Sequence, residues 1–109
     1  MNYNTLGHVL INLDRLNWKE WIYIKMQKEI TASTLCLVIN PDKEELGLDD
    51  FTPLIAEEAS MQEFLSVQDL RSVVKNLRSW YKNPSVEDLS LAAVYFFEND
   101  AFMPSEKLN

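Results

Sequence analysis

The 109-residue sequence predicts an α+β domain: a small antiparallel sheet of two to three strands packed against helices, with a C-terminal helical hairpin as the main mass. Three observations predict it. Two short runs rich in β-branched and aromatic residues, 21–26 and 34–40, read as strands. Two Ser-x-x-Asp pairs, Ser66 with Asp69 and Ser85 with Asp88, each open a long apolar stretch and read as helix N-termini. The length and an apolar content of 47% suit one hydrophobic core, so residues 1–109 are read as a single domain.

Each element has its own justification. Asn4 or Thr5 caps a first helix in which Leu6, Val9, Leu10, Leu13 and Leu16 follow the three-four spacing of one buried face. The polar residues 27–33 join the two strand runs at a length that suits an antiparallel pair. Asn40-Pro41-Asp42 ends the second strand, because proline cannot donate to the ladder and Asn and Asp favour turns. Gly47 and Pro53 mark a loop, and Pro53 suits the first turn of a short helix through Leu54, Ile55 and Glu58.

The helix opened by Ser66 carries Val67, Leu70, Val73, Val74, Leu77, Trp80 and Tyr81 on one face. Arg71, Lys75, Arg78 and Lys82 lie along its flank as a basic ridge. Asn83-Pro84 breaks it. The next helix, from Ser85 through Phe97, has almost no polar face and is expected at the buried centre of the fold. The polar tail after Met103 is expected to fray.

Charge is concentrated in one place. Seventeen acids oppose ten bases for a net charge of -7. Residues 42–63 contain Asp42, Glu44, Glu45, Asp49, Asp50, Glu57, Glu58 and Glu63 with Lys43 as their one base, so this segment accounts for the whole excess. Such a field repels phosphate and attracts cationic proteins, which argues against direct binding of nucleic acid. A solvated loop and polar helix face would have the same composition.

Most catalytic constellations are excluded by supply. One histidine, His8, and one cysteine, Cys36, cannot form a zinc set or a paired-cysteine redox motif, and His8 projects away from the apolar face of its helix. Cys36 sits among Leu35, Leu37 and Val38 as a small buried hydrophobe. Gly7 and Gly47 are too far apart for a phosphate-cradling loop. Residues 42–50 do not match a calcium loop, because Leu46 and Leu48 interrupt it and the closing Glu is missing. No cofactor or metal is expected. Carboxylates are the one catalytic type in supply, and an enzyme would need them to converge in a deep pocket. No apolar run approaches the roughly 18 to 20 residues that span a bilayer, and no leader is visible, so a cytoplasmic protein that does not bind membranes is expected.

The run Ala93-Val94-Tyr95-Phe96-Phe97-Glu98-Asn99-Asp100-Ala101-Phe102-Met103 resembles a family of small bacterial proteins, some of which are immunity proteins of contact-dependent growth inhibition systems. The two short strands after an N-terminal helix and the acidic central loop agree with that pattern. The resemblance implies a cytoplasmic binding protein, not an enzyme, that neutralises the C-terminal toxin domain of a secreted effector, typically a nuclease. A basic nuclease surface would be met by Asp42, Glu44, Glu45, Asp49, Asp50, Glu57 and Glu58.

Glu98 and Asp100, with Trp80, form a second candidate surface. Acids at a helix C-terminus oppose the macrodipole, and Asn99 suits a left-handed cap, so a structural role stands beside binding; Asp100 could also brace the basic ridge. Trp18 and Trp80, near element ends, are the two tryptophans best placed to reach the surface, with packing at the core or its edge the favoured reading of each. The alternative reading is an acidic adaptor or nucleic-acid mimic acting on another basic partner.

Overall fold

Strand β2 (Trp21–Lys25) determines the layering, because it is buried on both sides. Side chains alternate across a strand, so Ile22 and Ile24 face one way and Trp21 and Tyr23 the other. A computed structural model describes residues 3–108, with β1 (Asn4–Thr5), α1 (Leu6–Ile11), β2, β3 (Leu35–Ile39), α2 (Leu54–Glu58), β4 (Met61–Ser66), α3 (Val67–Trp80) and α4 (Val86–Asn99) in chain order. Three single-turn 3-10 helices, Leu13–Arg15, Pro41–Lys43 and Ser105–Lys107, complete it.

The fold is α+β with the expected C-terminal helical hairpin. Its antiparallel sheet has four strands in the order β1-β3-β2-β4, against an expectation of two to three. The central pairing sets Ile22 opposite Val38 and Ile24 opposite Cys36. β4 joins the other edge of β2 with a bulge, so that Phe64 and Leu65 together span the place of Ile22. Both are buried in the same core cluster. That break in alternation is why the segment does not read as a strand from sequence.

One face of the sheet carries the main core. Ile22, Ile24, Cys36 and Phe64 meet Leu6, Val9 and Leu10 of α1, Leu70, Val73 and Leu77 of α3, and Leu89, Ala92 and Ala93 of α4. α4 packs on both α1 and α3. The start of α4 comes so close to α1 that a Cβ on Gly7 would lie 2.8 Å from Val86 Cγ2. A smaller cluster of Tyr23, Leu37, Ile39, Ala56 and Met61 forms the opposite face, covered by α2.

Three expectations are corrected. The first helix ends at Ile11, where the Asn12 side chain donates to the His8 carbonyl at 2.9 Å; Leu13 then continues the buried face from a 3-10 turn. α4 is not the buried centre. Only Leu89, Ser90, Ala92 and Ala93 are buried, while Val94, Tyr95, Phe96 and Phe97 are half-buried and Leu91 is exposed. The sheet occupies the centre, and a helix packed on α1 and α3 from one side cannot bury its whole circumference. The tail does not simply fray: Met103 is in the core, residues 105–107 form a 3-10 turn and Leu108 packs against the same cluster.

The caps behave as their sequences predict. Ser66 Oγ accepts from the Asp69 amide at 3.0 Å, and Ser85 and Asp88 form a reciprocal capping box. Arg71 leaves the basic ridge to tie α3 to the 3-10 turn after α1: its Nη2 donates to the carbonyls of Leu13 at 3.3 Å and Leu16 at 2.5 Å.

Two buried acids carry a pH dependence. Burial, followed by the carboxylates of Glu63 and Asp49, pushes the Tyr23 hydroxyl from 10.0 to about 12, and burial pushes the Cys36 thiol from 9.0 to about 12. The unfolded chain releases these protons at lower pH than the folded chain, so stability falls as pH rises through that window. Urea unfolding at neutral pH and at about pH 11 is expected to show a lower midpoint in alkali, with Tyr23→Phe flattening the decline. An identical decline in Tyr23→Phe would remove the hydroxyl as a cause.

Candidate functional site

The acidic segment folds into a small hairpin over residues 45–54, on the side of the sheet opposite α3 and α4. The Leu54 amide donates to the Glu45 carbonyl at 2.6 Å, the Gly47 amide donates to the Thr52 carbonyl at 2.7 Å, and Leu46 bridges Pro53. Asp49 organises the turn between them. Its Oδ1 accepts from the amides of Phe51 at 2.9 Å and Thr52 at 2.7 Å, and its Oδ2 accepts from the Thr52 hydroxyl at 2.7 Å. These bonds, the Thr52 amide first and the Phe51 amide next, hold the Asp49 carboxyl below its ordinary value of 3.8. Asp50 completes the turn at φ 61°, a left-handed conformation that Asp tolerates better than most residues.

Glu57 supports the hairpin from α2. Its Oε2 accepts from the Leu48 amide at 3.1 Å. Gly47 makes room for that carboxylate, because a Cβ there would overlap it.

The seven candidate acids therefore divide in two. Asp49 and Glu57 hold the loop together. Asp42, Glu44, Glu45, Asp50 and Glu58 are exposed, and their carboxylates make no hydrogen bond or ion pair among the described residues. Asp42 sits in the 3-10 turn after β3, and Glu58 ends α2.

Charge counting missed the apolar part of this surface. Leu48 is 95% exposed and Phe51 82% exposed at the hairpin tip, with Leu46 partly exposed beside them. The signal was present: three large apolar residues stand in a loop with no helical or strand period that would bury them. A lone exposed apolar side chain is ordinary, but two nearly bare ones on a hydrogen-bonded turn within an acidic segment have the composition of a binding hot spot with a polar rim.

The second candidate surface lies elsewhere. Glu98 is exposed in the last turn of α4, and Asp100, not Asn99, takes the left-handed cap at φ 52°, its amide donating to the Phe96 carbonyl at 2.8 Å. Asn99 remains helical and donates from its side chain to the Tyr95 carbonyl. No ion pair joins Asp100 to the basic ridge among the described residues. Trp80 is half-buried against the main core, its indole N–H donating to Asn76 Oδ1 at 3.4 Å and its ring 6.0 Å from that of Tyr81. These residues belong to the helical layer and do not join the hairpin.

Lys75 and Arg78 of the ridge line a groove of about 560 Å³ between α1 and α3, with Leu10, Ile11, Asp14 and Arg71. No group of three or more His, Cys, Asp or Glu side chains suited to a metal ion occurs among the described residues, and none of their helices is long and apolar enough to cross a membrane.

The fold and this surface define a small α+β domain with a presented acidic and apolar hairpin. One family, described as Domain of unknown function (DUF7716), matches residues 3–105, and the chain belongs to it. No curated protein and no solved structure matches the chain.

The hairpin analysis makes a direct prediction. Asp49→Ala is expected to speed amide hydrogen exchange at Phe51 and Thr52 several-fold, and Gly47→Ala to do so at Leu48 by displacing Glu57, with α3 amides unchanged in both. The depressed Asp49 carboxyl gives the wild-type hairpin the same loosening only in acid, as pH falls below its lowered value. Unchanged exchange at these amides would show that neither carboxylate orders the loop.

Proposed function

We propose that this protein is an immunity protein: a stoichiometric, non-catalytic binder that neutralises a cognate toxin domain, a basic nuclease, in the cytoplasm of the producing cell. The observation that carries the reading is the hairpin tip, where Leu48 and Phe51 stand almost fully in solvent within the acidic segment, next to Asp50, whose carboxylate has no internal partner among the described residues. Exposing two large apolar side chains gains nothing for the isolated domain, whereas burial in a partner is worth about 1.5–3 kcal/mol for each. The surrounding acids would speed encounter with a cationic surface and exclude phosphate from it at the same time. Asp49 and Glu57 serve this role indirectly, by ordering the tip before the partner arrives, which lowers the entropy lost on binding.

The apolar tip also separates this reading from a nucleic-acid mimic. A phosphate-like surface needs regularly spaced charge and has no use for a Leu and a Phe at its most prominent point.

Co-purification with the toxin domain encoded beside this gene, followed by titration at low and high salt, tests the proposal. Tight one-to-one binding that weakens with salt and abolishes toxin activity is expected. Leu48→Ser with Phe51→Ser should raise the dissociation rate by about tenfold or more. Neutralising Glu44, Glu45, Asp50 and Glu58 together should slow association and flatten its salt dependence. Full neutralisation by both variants would remove the hairpin from the interface.

A further inference from the structure

At the end of the sheet where β2 begins and β3 ends, two tryptophans open onto one small pocket. Trp18 is 55% exposed, and Trp21 is half-buried, packed against the same cluster that α2 covers. Together with Lys19, Pro41, Asp42 and Gln68 they line a cavity of about 240 Å³, large enough for one side chain. Asp42 shares the lining of this pocket with the two indoles, and its carboxylate makes no hydrogen bond or ion pair among the described residues.

The site is built rather than incidental. Trp18 rides on a turn whose backbone is fixed at several points: the Asn17 amide donates to Glu20 Oε1 at 2.7 Å, the Lys19 amide donates to Asn17 Oδ1 at 2.9 Å, and the Glu20 amide donates to the Asn17 carbonyl at 3.0 Å. The Glu20 carbonyl in turn accepts from the Val67 amide at 3.0 Å, which anchors the turn to the first residue of α3. Across the pocket, Asn40 Oδ1 accepts from the Asp42 amide at 3.1 Å and fixes the turn that presents the carboxylate. These bonds fix the backbone that carries an exposed tryptophan.

Lys19 Nζ lies 5.4 Å from the centroid of the Trp18 ring, a cation over an aromatic face. An ammonium on a flexible stem makes one such contact. A guanidinium is planar, stacks on indole and can bond a carboxylate with two parallel N–H donors, so two indoles and one free carboxylate suit it better.

We propose that Trp18, Trp21 and Asp42 form a subsite for an arginine side chain of the partner, with Lys19 as an intramolecular occupant that the arginine displaces. The subsite adjoins the layer formed by the acidic segment, and it rests on the proposed function for the source of its arginine. It supplies an anchor that differs from the hairpin tip, one that selects guanidinium over other cations.

The test needs no toxin, so its failure and that of the immunity reading are separable. The three indole N–H signals of the intact protein can be followed by NMR, assigned with Trp18→Phe and Trp21→Phe, while N-acetylarginine amide is added to concentrations on the order of millimolar, where weak single-site binding saturates. Trp18 and Trp21 should shift along a saturable curve while Trp80, in the helical layer, stays still. N-acetyl-leucine amide should move none of them, and N-acetyl-lysine amide should bind more weakly than the arginine compound. Asp42→Asn should weaken arginine binding about three- to tenfold, and Lys19→Ala should strengthen it by a similar factor. Absence of a saturable shift, equal shifts with the leucine amide, or affinities unchanged by both substitutions would overturn the proposal.

Discussion

The central pair of strands is buried on both faces, and this constraint organises the rest of the molecule. Ile22, Ile24 and Cys36 need a helical layer beneath them, while Tyr23, Leu37 and Ile39 need a second cover on the other side. Three helices supply the first. The second falls to the segment between β3 and β4, which must cross the sheet to connect them. It places Ile55 and Ala56 of α2 against that apolar face and turns its carboxylates outward. A net charge that looks like a property of one stretch of sequence becomes the charge of one side of the domain.

That side has a division of labour which charge alone conceals. Asp49 and Glu57 accept hydrogen bonds from backbone amides, so their negative charge stabilises the loop. Asp49 and Glu63 also act on Tyr23, which burial already holds in its neutral form. Leu48 and Phe51 project from the ordered turn with little of their surface covered by their own domain. The hairpin and the two-tryptophan pocket lie on the same acidic layer, and each combines an apolar or aromatic body with carboxylates that have no internal partner among the described residues.

The helical layer is arranged differently. Arg71 is held by two backbone carbonyls, and its neighbours Lys75 and Arg78 border a groove with an apolar floor. The ridge therefore contributes a brace at one end and solvated charge along the rest, with an electrostatic sign opposite to that of the hairpin side. The confinement of the acidic excess to the other side would favour one orientation toward a cationic partner.

Much of the fold was legible because its signals are local. The two central strands, the Ser66 and Ser85 caps, the break at Asn83-Pro84 and the short helix after Pro53 follow from residue chemistry within a few positions. β4 was not, because its bulge destroys the alternation that marks a strand, and the two residues of β1 have no partner until β3 is in place. The burial of α4 was overestimated for a related reason: composition gives how apolar a helix is, but not how many neighbours it has. In the candidate site, the sequence by itself determined the charge, its position between β3 and α3, and the loop marked by Gly47 and Pro53. Only the tertiary structure decided which carboxylates are tied to backbone amides, that Leu48 and Phe51 stand in solvent, and that Trp18, Trp21 and Asp42 share one pocket. Asp49 bonds within its own turn and Glu57 reaches back nine residues, while the pocket joins segments far apart in sequence, and hydrophobic period and local propensity encode none of these side-chain positions.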